Sequence, residues 1–313
     1  MRYTADAQQQ AFSFLVGQTS HIEQTVWATR YPDITYPEFV PVDTSAPEWV
    51  KTITFFSTDM TGAAKWINGA GQDIPLVGTT REKFESQVYM AGIGYDYTLD
   101  ELEQARLAGI NLTADKALAA RRSYEELVEN VAYTGDASKN MKGLFNNTAV
   151  TASDVANGAA TTPGWSTKTP IEILKDVNNG ITGIHTTTKT VAIADTVLIP
   201  EDKYNYIAST PMAADSERTI LNWLLQNNVY TVRTGQPLMV RGNRFLTGAG
   251  AGGTDRMVIY RRSPEVVKMH VPMRLRFLPV QGPQIFRYVV PGMFRLGGVD
   301  VRLPKEVRYY DAI

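Results

Sequence analysis

Two runs of strand-forming residues, Val50 to Ser57 (VKTITFFS) and Lys83 to Tyr97 (KFESQVYMAGIGYDY), lie on either side of a Gly-rich middle, TGAAKWINGAGQDIPLVGTT. Their β-branched and aromatic content reads as two strands. Together they predict a long hairpin with an irregular tip. An isolated two-stranded hairpin is marginal in water. The tip adds Trp66, Ile67, Ile74, Leu76 and Val77 without an evident local partner. Such a ribbon needs a neighbour to lie on, and this requirement constrains the fold more than any other feature.

Few classes of chemistry fit the remainder. The 313 residues contain no cysteine, which excludes disulfides, thiolate metal sites and cysteine nucleophiles. His21, His185 and His270 lie far apart in sequence, with no metal-ligand spacing. No catalytic residue, cofactor site or metal site is therefore expected. No run of 18 apolar residues exists, so no membrane span is expected. The first twenty residues lack a basic start and a long apolar stretch, so no signal peptide is expected either.

Charge is unevenly spread. Residues 1–100 hold 12 Asp/Glu against 6 Lys/Arg, whereas residues 256–313 hold 11 Lys/Arg against 4 Asp/Glu. Internal salt bridges are one explanation. An acidic front of one subunit lying on the basic back of another is the second. The C-terminal arginines alternate with apolar residues (Arg274-Leu-Arg276-Phe, Phe294-Arg-Leu, Val301-Arg-Leu) and would crowd one strand face. Without a Lys/Arg block or a base-stacking motif, pairing with carboxylates fits them better than specific nucleic-acid binding.

Residues 1–48 end in YPEFVPVDTSAP, whose prolines suit an extended arm on another surface. Thr98-x-x-Glu101 is a capping box that opens a short helix. From Thr113 a longer helix places Ala120, Tyr124, Leu127, Val128 and Val131 on one stripe. Arg121, Arg122, Glu125, Glu126 and Glu129 form a solvated or inter-subunit face, and Gly135 ends the helix. A Thr/Ala/Gly-rich linker, 148–168, leads to Thr169-Pro170-x-Glu172, which caps a helix carrying Ile171, Leu174, Val177, Ile181 and Ile184. A strand at 196–199, a helix from Pro200 and a helix over 217–226 follow. From Val229 onward the pattern is mostly strand. The whole is an α+β pattern without regular βαβ alternation.

Gly248-x-Gly250-x-x-Gly253 has the spacing of a dinucleotide loop. That loop needs a strand before it and a helix behind it to supply a positive dipole end. Here Arg244 to Thr247 reads as a possible strand, and Arg256 to Arg262 reads as a strand and not a helix. A mobile hairpin turn is the better reading, with a nucleotide-binding enzyme as a remote alternative. Lys65, on the hairpin tip, reads as an exposed or salt-bridged amine, with covalent cross-linking to a neighbour as the minor alternative.

The order of parts carries a resemblance. The tip WINGAGQDIP, the helix AARRSYEELVENVAYTG, then KGLFNN and the ending FRLGGVDVRLPKEVRY resemble the major capsid protein of tailed bacteriophages. That resemblance implies the Hong-Kong-97-type fold, shared with encapsulins. It implies an N-terminal arm over 1–48, an extended loop over 49–97 and a peripheral domain over 98–150 with a spine helix. An axial domain would span 151–276, and 277–313 would close the peripheral domain. The implied function is self-assembly into an icosahedral shell around double-stranded DNA, in a virion built in the host bacterial cytoplasm. Packaged DNA would be met by weak non-specific contact, and portal, scaffolding and decoration proteins are further implied partners. The alternative is an encapsulin-like compartment. Inter-subunit contact is expected at Trp66, Ile67, Ile74, Leu76, Glu82 and Glu85, with the acids meeting Arg274, Arg276, Arg295 or Arg302 of a neighbour.

Overall fold

The computed structural model describes residues 31–66, 76–108, 112–213, 216–284 and 287–313. The chain divides into a first unit, Met1–Asp33, and a second, Ile34–Ile313. The opening segment of the second unit folds onto its own chain. Helix α1 (Tyr36–Phe39) carries Pro37 in its first turn, where a fixed φ fits and the missing N–H costs nothing. Phe39 and Val40 are buried, and Tyr260 donates its hydroxyl to the Phe39 carbonyl at 2.7 Å. Residues 34–43 of the expected arm thus lie on this protomer, while 1–30 fall outside the described residues. Strand β1 (Val42–Asp43) follows.

The ribbon is built from β2 (Thr52–Thr61) and β3 (Gly78–Gln87), paired antiparallel from Thr52↔Gln87 to Thr61↔Gly78. The run read as one strand over 83–97 is two. It breaks at buried Val88, whose N–H bonds the Lys51 carbonyl, and β4 (Tyr89–Thr98) then turns away into another sheet. Gly94 permits that pairing, since a Cβ there would stand 2.8 Å from the Val290 carbonyl oxygen.

Helix α2 (Leu99–Ala108) carries the expected capping box. Glu101 N–H bonds Thr98 Oγ1 at 3.2 Å, and Thr98 N–H bonds a Glu101 carboxylate oxygen at 3.1 Å. The spine helix α3 (Leu112–Tyr133) buries Ala120, Tyr124, Val128, Val131 and Ala132. Two expectations change here. Leu127 is 40% exposed, because the buried arc is rotated toward Ala132 and leaves it at the edge. Glu129, expected on the solvated face, is fully buried. It accepts the Thr35 N–H and hydroxyl at 2.8 and 3.0 Å and pairs with Arg244 at 2.5 Å. Leu127→Asp is therefore expected to fold, losing about 1–2 kcal/mol from partial burial. Denaturant unfolding of the variant measures this.

Downstream come β5 (Thr151–Asp154), α4 (Pro170–Thr187), β6 (Thr196–Ile199), α5 (Glu201–Ser209), α6 (Ile220–Gln226) and α7 (Val229–Thr234). Helix α4 has the predicted capping box and buries Leu174, Val177, Ile181 and Ile184, but Ile171 is exposed. The stretch read as a linker is partly built in. β5 joins a sheet, and Trp165 is buried with its indole N–H on Asp176, which Lys168 meets at 2.6 Å. Burial raises the Asp176 carboxyl above its ordinary value against the pull of Lys168 and Trp165.

The C-terminal half supplies β7 (Met239–Gly242), β8 (Arg256–Tyr260), β9 (Val267–His270), β10 (Met273–Phe277) and β11 (Gln281–Gln284). The last strands are β12 (Arg287–Leu296), β13 (Val299–Val301) and β14 (Val307–Asp311). One sheet runs β5-β14-β8-β6-β7, with α4 packed on it and buried side chains such as Val177, Ile181, Val197 and Ile259 forming one core. A second sheet runs β10-β12-β11 with β4 paired to β12, and a third runs β1-β9-β13. These pack with α3 around a second core that includes Tyr124, Val128, Met269 and Phe294.

Candidate assembly surface

The ribbon exposes apolar side chains because strand geometry sends alternate residues to opposite faces. Register places Ile53, Phe55, Ser57 and Asp59 with Ser86, Phe84, Glu82 and Thr80 on one face. Phe55 stacks on Phe84 with ring centroids 5.1 Å apart, and the Arg302 guanidinium lies 4.8 Å over Phe55. This face overhangs a groove of about 790 Å³ lined on the far side by Lys189, Val191, Arg302 and Lys305. The opposite face carries Phe56 and Met60, 66% and 75% exposed, among Arg81, Lys83 and Glu85. The ribbon thus holds apolar side chains in water on a pleated surface.

Register also separates two of the expected contact residues. Glu82 faces the groove that Arg302 lines, whereas Glu85 lies on the other face and pairs with Lys83. Trp66 and Leu76 are exposed near the tip, as is Lys65, and Ile67 and Ile74 lie outside the described residues. At the ribbon's root, Arg276 and Arg295 come together around Trp49. Their guanidinium carbons stand 6.0 and 5.8 Å from its ring. Arg276 pairs with Glu48 at 3.1 Å, and Arg295 donates to the Glu48 carbonyl at 3.2 Å. Arg274 is exposed on the same strand as Arg276. Sequence reasoning missed Trp49, Phe56 and Met60. Strand alternation would have marked Phe56 and Met60 once the register was known.

The acidic front and basic back of the chain meet within one protomer at several points. Lys268 pairs with Asp43 at 3.1 Å and Arg287 with Asp96 at 2.5 Å, besides the Arg276–Glu48 pair. Internal pairing therefore accounts for part of the asymmetry.

The glycine loop is occupied by its own chain. Residues 244–246, read as a strand, form a 3₁₀ turn, and a second such turn spans Ala251–Gly253 before β8. Gly248, Gly252 and Gly253 take positive φ, which glycine alone adopts freely. The Gly248 N–H is held by Asp255 and the Ala251 N–H by Asp311, both at 3.0 Å. Carboxylates thus sit where a phosphate would have to bind, and they bind the loop down, against the mobile turn expected from sequence. Among the described residues, no group of three or more His, Cys, Asp or Glu side chains is arranged to hold a metal ion, and no helix is long and apolar enough to cross a membrane.

Comparison with known proteins adds three likenesses of fold. The family described as "Major capsid protein" matches residues 62–313. The capsid of Myoviridae phage XM1 superposes with a TM-score of 0.79 at 19% identity, covering 95% of this chain and 98% of that one. Microbacterium phage Oxtober96 gives 0.63 at 10% identity over 98% and 99% of the two chains. A virus-like particle from Pyrococcus furiosus gives 0.52 at 11% identity over 88% and 91%. No curated protein matches in sequence.

Proposed function

Since the chain belongs to the major capsid protein family, we propose that its ribbon lies on a neighbouring copy in an icosahedral shell enclosing the double-stranded DNA of a tailed bacteriophage. The observation that carries this reading is the pair of exposed faces on β2–β3. Phe56 and Met60 on one face and the Phe55–Phe84 pair with its groove on the other offer extended surface to a second subunit. The fold is the Hong-Kong-97 type, and the role is structural, with no catalysis by this chain.

Residues 1–48 act as an arm and 49–97 as the extended loop. Residues 98–150 and 277–313 form a peripheral region around α3, and 151–276 an axial region. β14 links these regions by entering the sheet of β6 and β8. Portal, scaffolding and decoration proteins are partners, the packaged DNA is held by weak non-specific contact, and assembly takes place in the host cytoplasm. Glu82 and Glu85 meet arginines of neighbours on opposite ribbon faces.

Negative-stain microscopy of the purified protein tests the reading: closed polyhedral shells are expected, and small oligomers at every concentration would overturn it. Double-stranded DNA inside particles from infected cells distinguishes a virion from an encapsulin-like compartment. The charge assignment has its own test. Glu82→Lys with Glu85→Lys is expected to raise the concentration needed for assembly about tenfold at low salt. The difference should shrink near 1 M salt, where charges more than about 3 Å apart are screened. Light scattering reads both, and equal assembly at every salt concentration would sink the pairing.

A further inference from the structure

Four stretches of chain meet at one buried imidazole. His270, on β9, is 1% exposed. Its Nε2 lies 3.0 Å from Asp300 of β13, and its Nδ1 lies 3.7 Å from Asp43 of β1. The second Asp300 oxygen accepts the hydroxyl of Ser86, at the ribbon's root. Asp43 in turn accepts the amide and hydroxyl of Ser45 at 2.9 and 2.6 Å, and Lys268 at 3.1 Å. Burial opposes the Asp43 anion, but Ser45 and Lys268 outweigh it and hold the carboxyl well below the usual range. Among the described residues, the acids within 4 Å of the imidazole nitrogens are Asp43 from β1 and Asp300 from β13, and Lys268 of the imidazole's own strand reaches Asp43. The ribbon contributes the Ser86 hydroxyl through Asp300. Gly297 packs against the His270 Cβ and brings no charge.

A neutral imidazole offers one N–H and one lone pair. Donating from Nε2 to Asp300, it turns a lone pair toward the Asp43 carboxylate, and Nδ1 is buried without a hydrogen-bond partner. An imidazolium carries an N–H on each nitrogen, so it keeps the bond to Asp300 and turns a positive N–H toward the Asp43 carboxylate 3.7 Å away. We infer that His270 is a proton-operated latch: charged, it ties the 41–45 segment to the ribbon's root; neutral, it keeps only the root. Acid tightens the junction and alkali loosens it. The latch lies inside one protomer and holds whatever the ribbon meets in a shell.

The N–H groups of Met269 and Val271 report on the latch, since they bond the Pro41 and Asp43 carbonyls, each at 2.9 Å. Hydrogen exchange of the full-length protein, corrected for the intrinsic rate at each pH, is followed from about pH 8 to about pH 5.5, where imidazole titrates. Protection of these two amides is expected to rise about tenfold in the wild type, the low end of what one hydrogen bond to a charged group contributes. His270→Gln retains a side-chain amide for Asp300 but does not titrate, and its profile is expected to be flat. Asp43→Asn keeps the imidazole and removes the anion, and it too is expected to be flat; it decides alone if His270→Gln does not fold. A flat wild-type profile, or a rise that survives in Asp43→Asn, overturns the latch.

Discussion

Asp311→Asn is expected to cost about 3–5 kcal/mol at pH 7, because it strands a buried guanidinium. Arg256 reaches both Asp311 oxygens, at 2.6 and 2.8 Å, and a third N–H bonds the Phe145 carbonyl at 2.6 Å. Both side chains are buried, and Arg256 also lies 4.6 Å over the Tyr309 ring. Asn matches the shape but leaves Arg256 without a counter-charge. A fall in Tm of about 6–15 °C corresponds to that loss. The Ala251 N–H loses its charged acceptor as well, so exchange in the 248–253 loop should quicken.

The pH dependence of that variant has a definite sign. Burial works against the Asp311 anion, yet Arg256 and the Ala251 N–H outweigh it and hold the carboxyl below its ordinary value. A depressed carboxyl contributes stability in full above its unfolded value, about 3.9. That contribution disappears as pH falls through the lower folded value. The gap between wild type and Asp311→Asn should therefore be widest near neutrality and narrow steadily below about pH 4. Unfolding curves across that range measure it, and equal Tm values at pH 7 would refute the role given to this pair.

Local signals were legible in the sequence and long-range ones were not. The Thr169-Pro170-Glu172 cap sits within four residues, and the structure reproduces both of its hydrogen bonds. The break at Val88 has no such local mark. β4 leaves the ribbon because β12, almost two hundred residues away, pairs with it from Tyr89↔Leu296 to Thr98↔Arg287. Glu129 reads as a surface charge until Thr35 and Arg244, each about a hundred residues distant, are placed on it. The same holds for the candidate assembly surface. Its apolar excess was visible at the tip, but the faces of Phe56, Glu82 and Glu85 depend on a register that composition does not encode.

The ribbon carries the largest expected effect on assembly. Phe56→Thr with Met60→Thr removes two large apolar side chains from the exposed face and keeps β-branched residues in the strand. In the isolated protomer both side chains already stand in water, so the variant's Tm is expected to match the wild type within a few degrees. In a shell each would be buried against a neighbour, and each is worth about 1.5–3 kcal/mol there. The sum, about 3–6 kcal/mol per protomer, raises the concentration needed for assembly by about two to four powers of ten. Light scattering against concentration, with microscopy of the products, reads the shift. Phe55→Thr supplies the contrast. Phe55 stacks on Phe84 beneath Arg302, so its loss should lower the stability of the protomer itself. If Phe56→Thr with Met60→Thr assembles at wild-type concentrations, that face of the ribbon is not where subunits meet. If it lowers the protomer's Tm as Phe55→Thr does, the face is already covered within one chain.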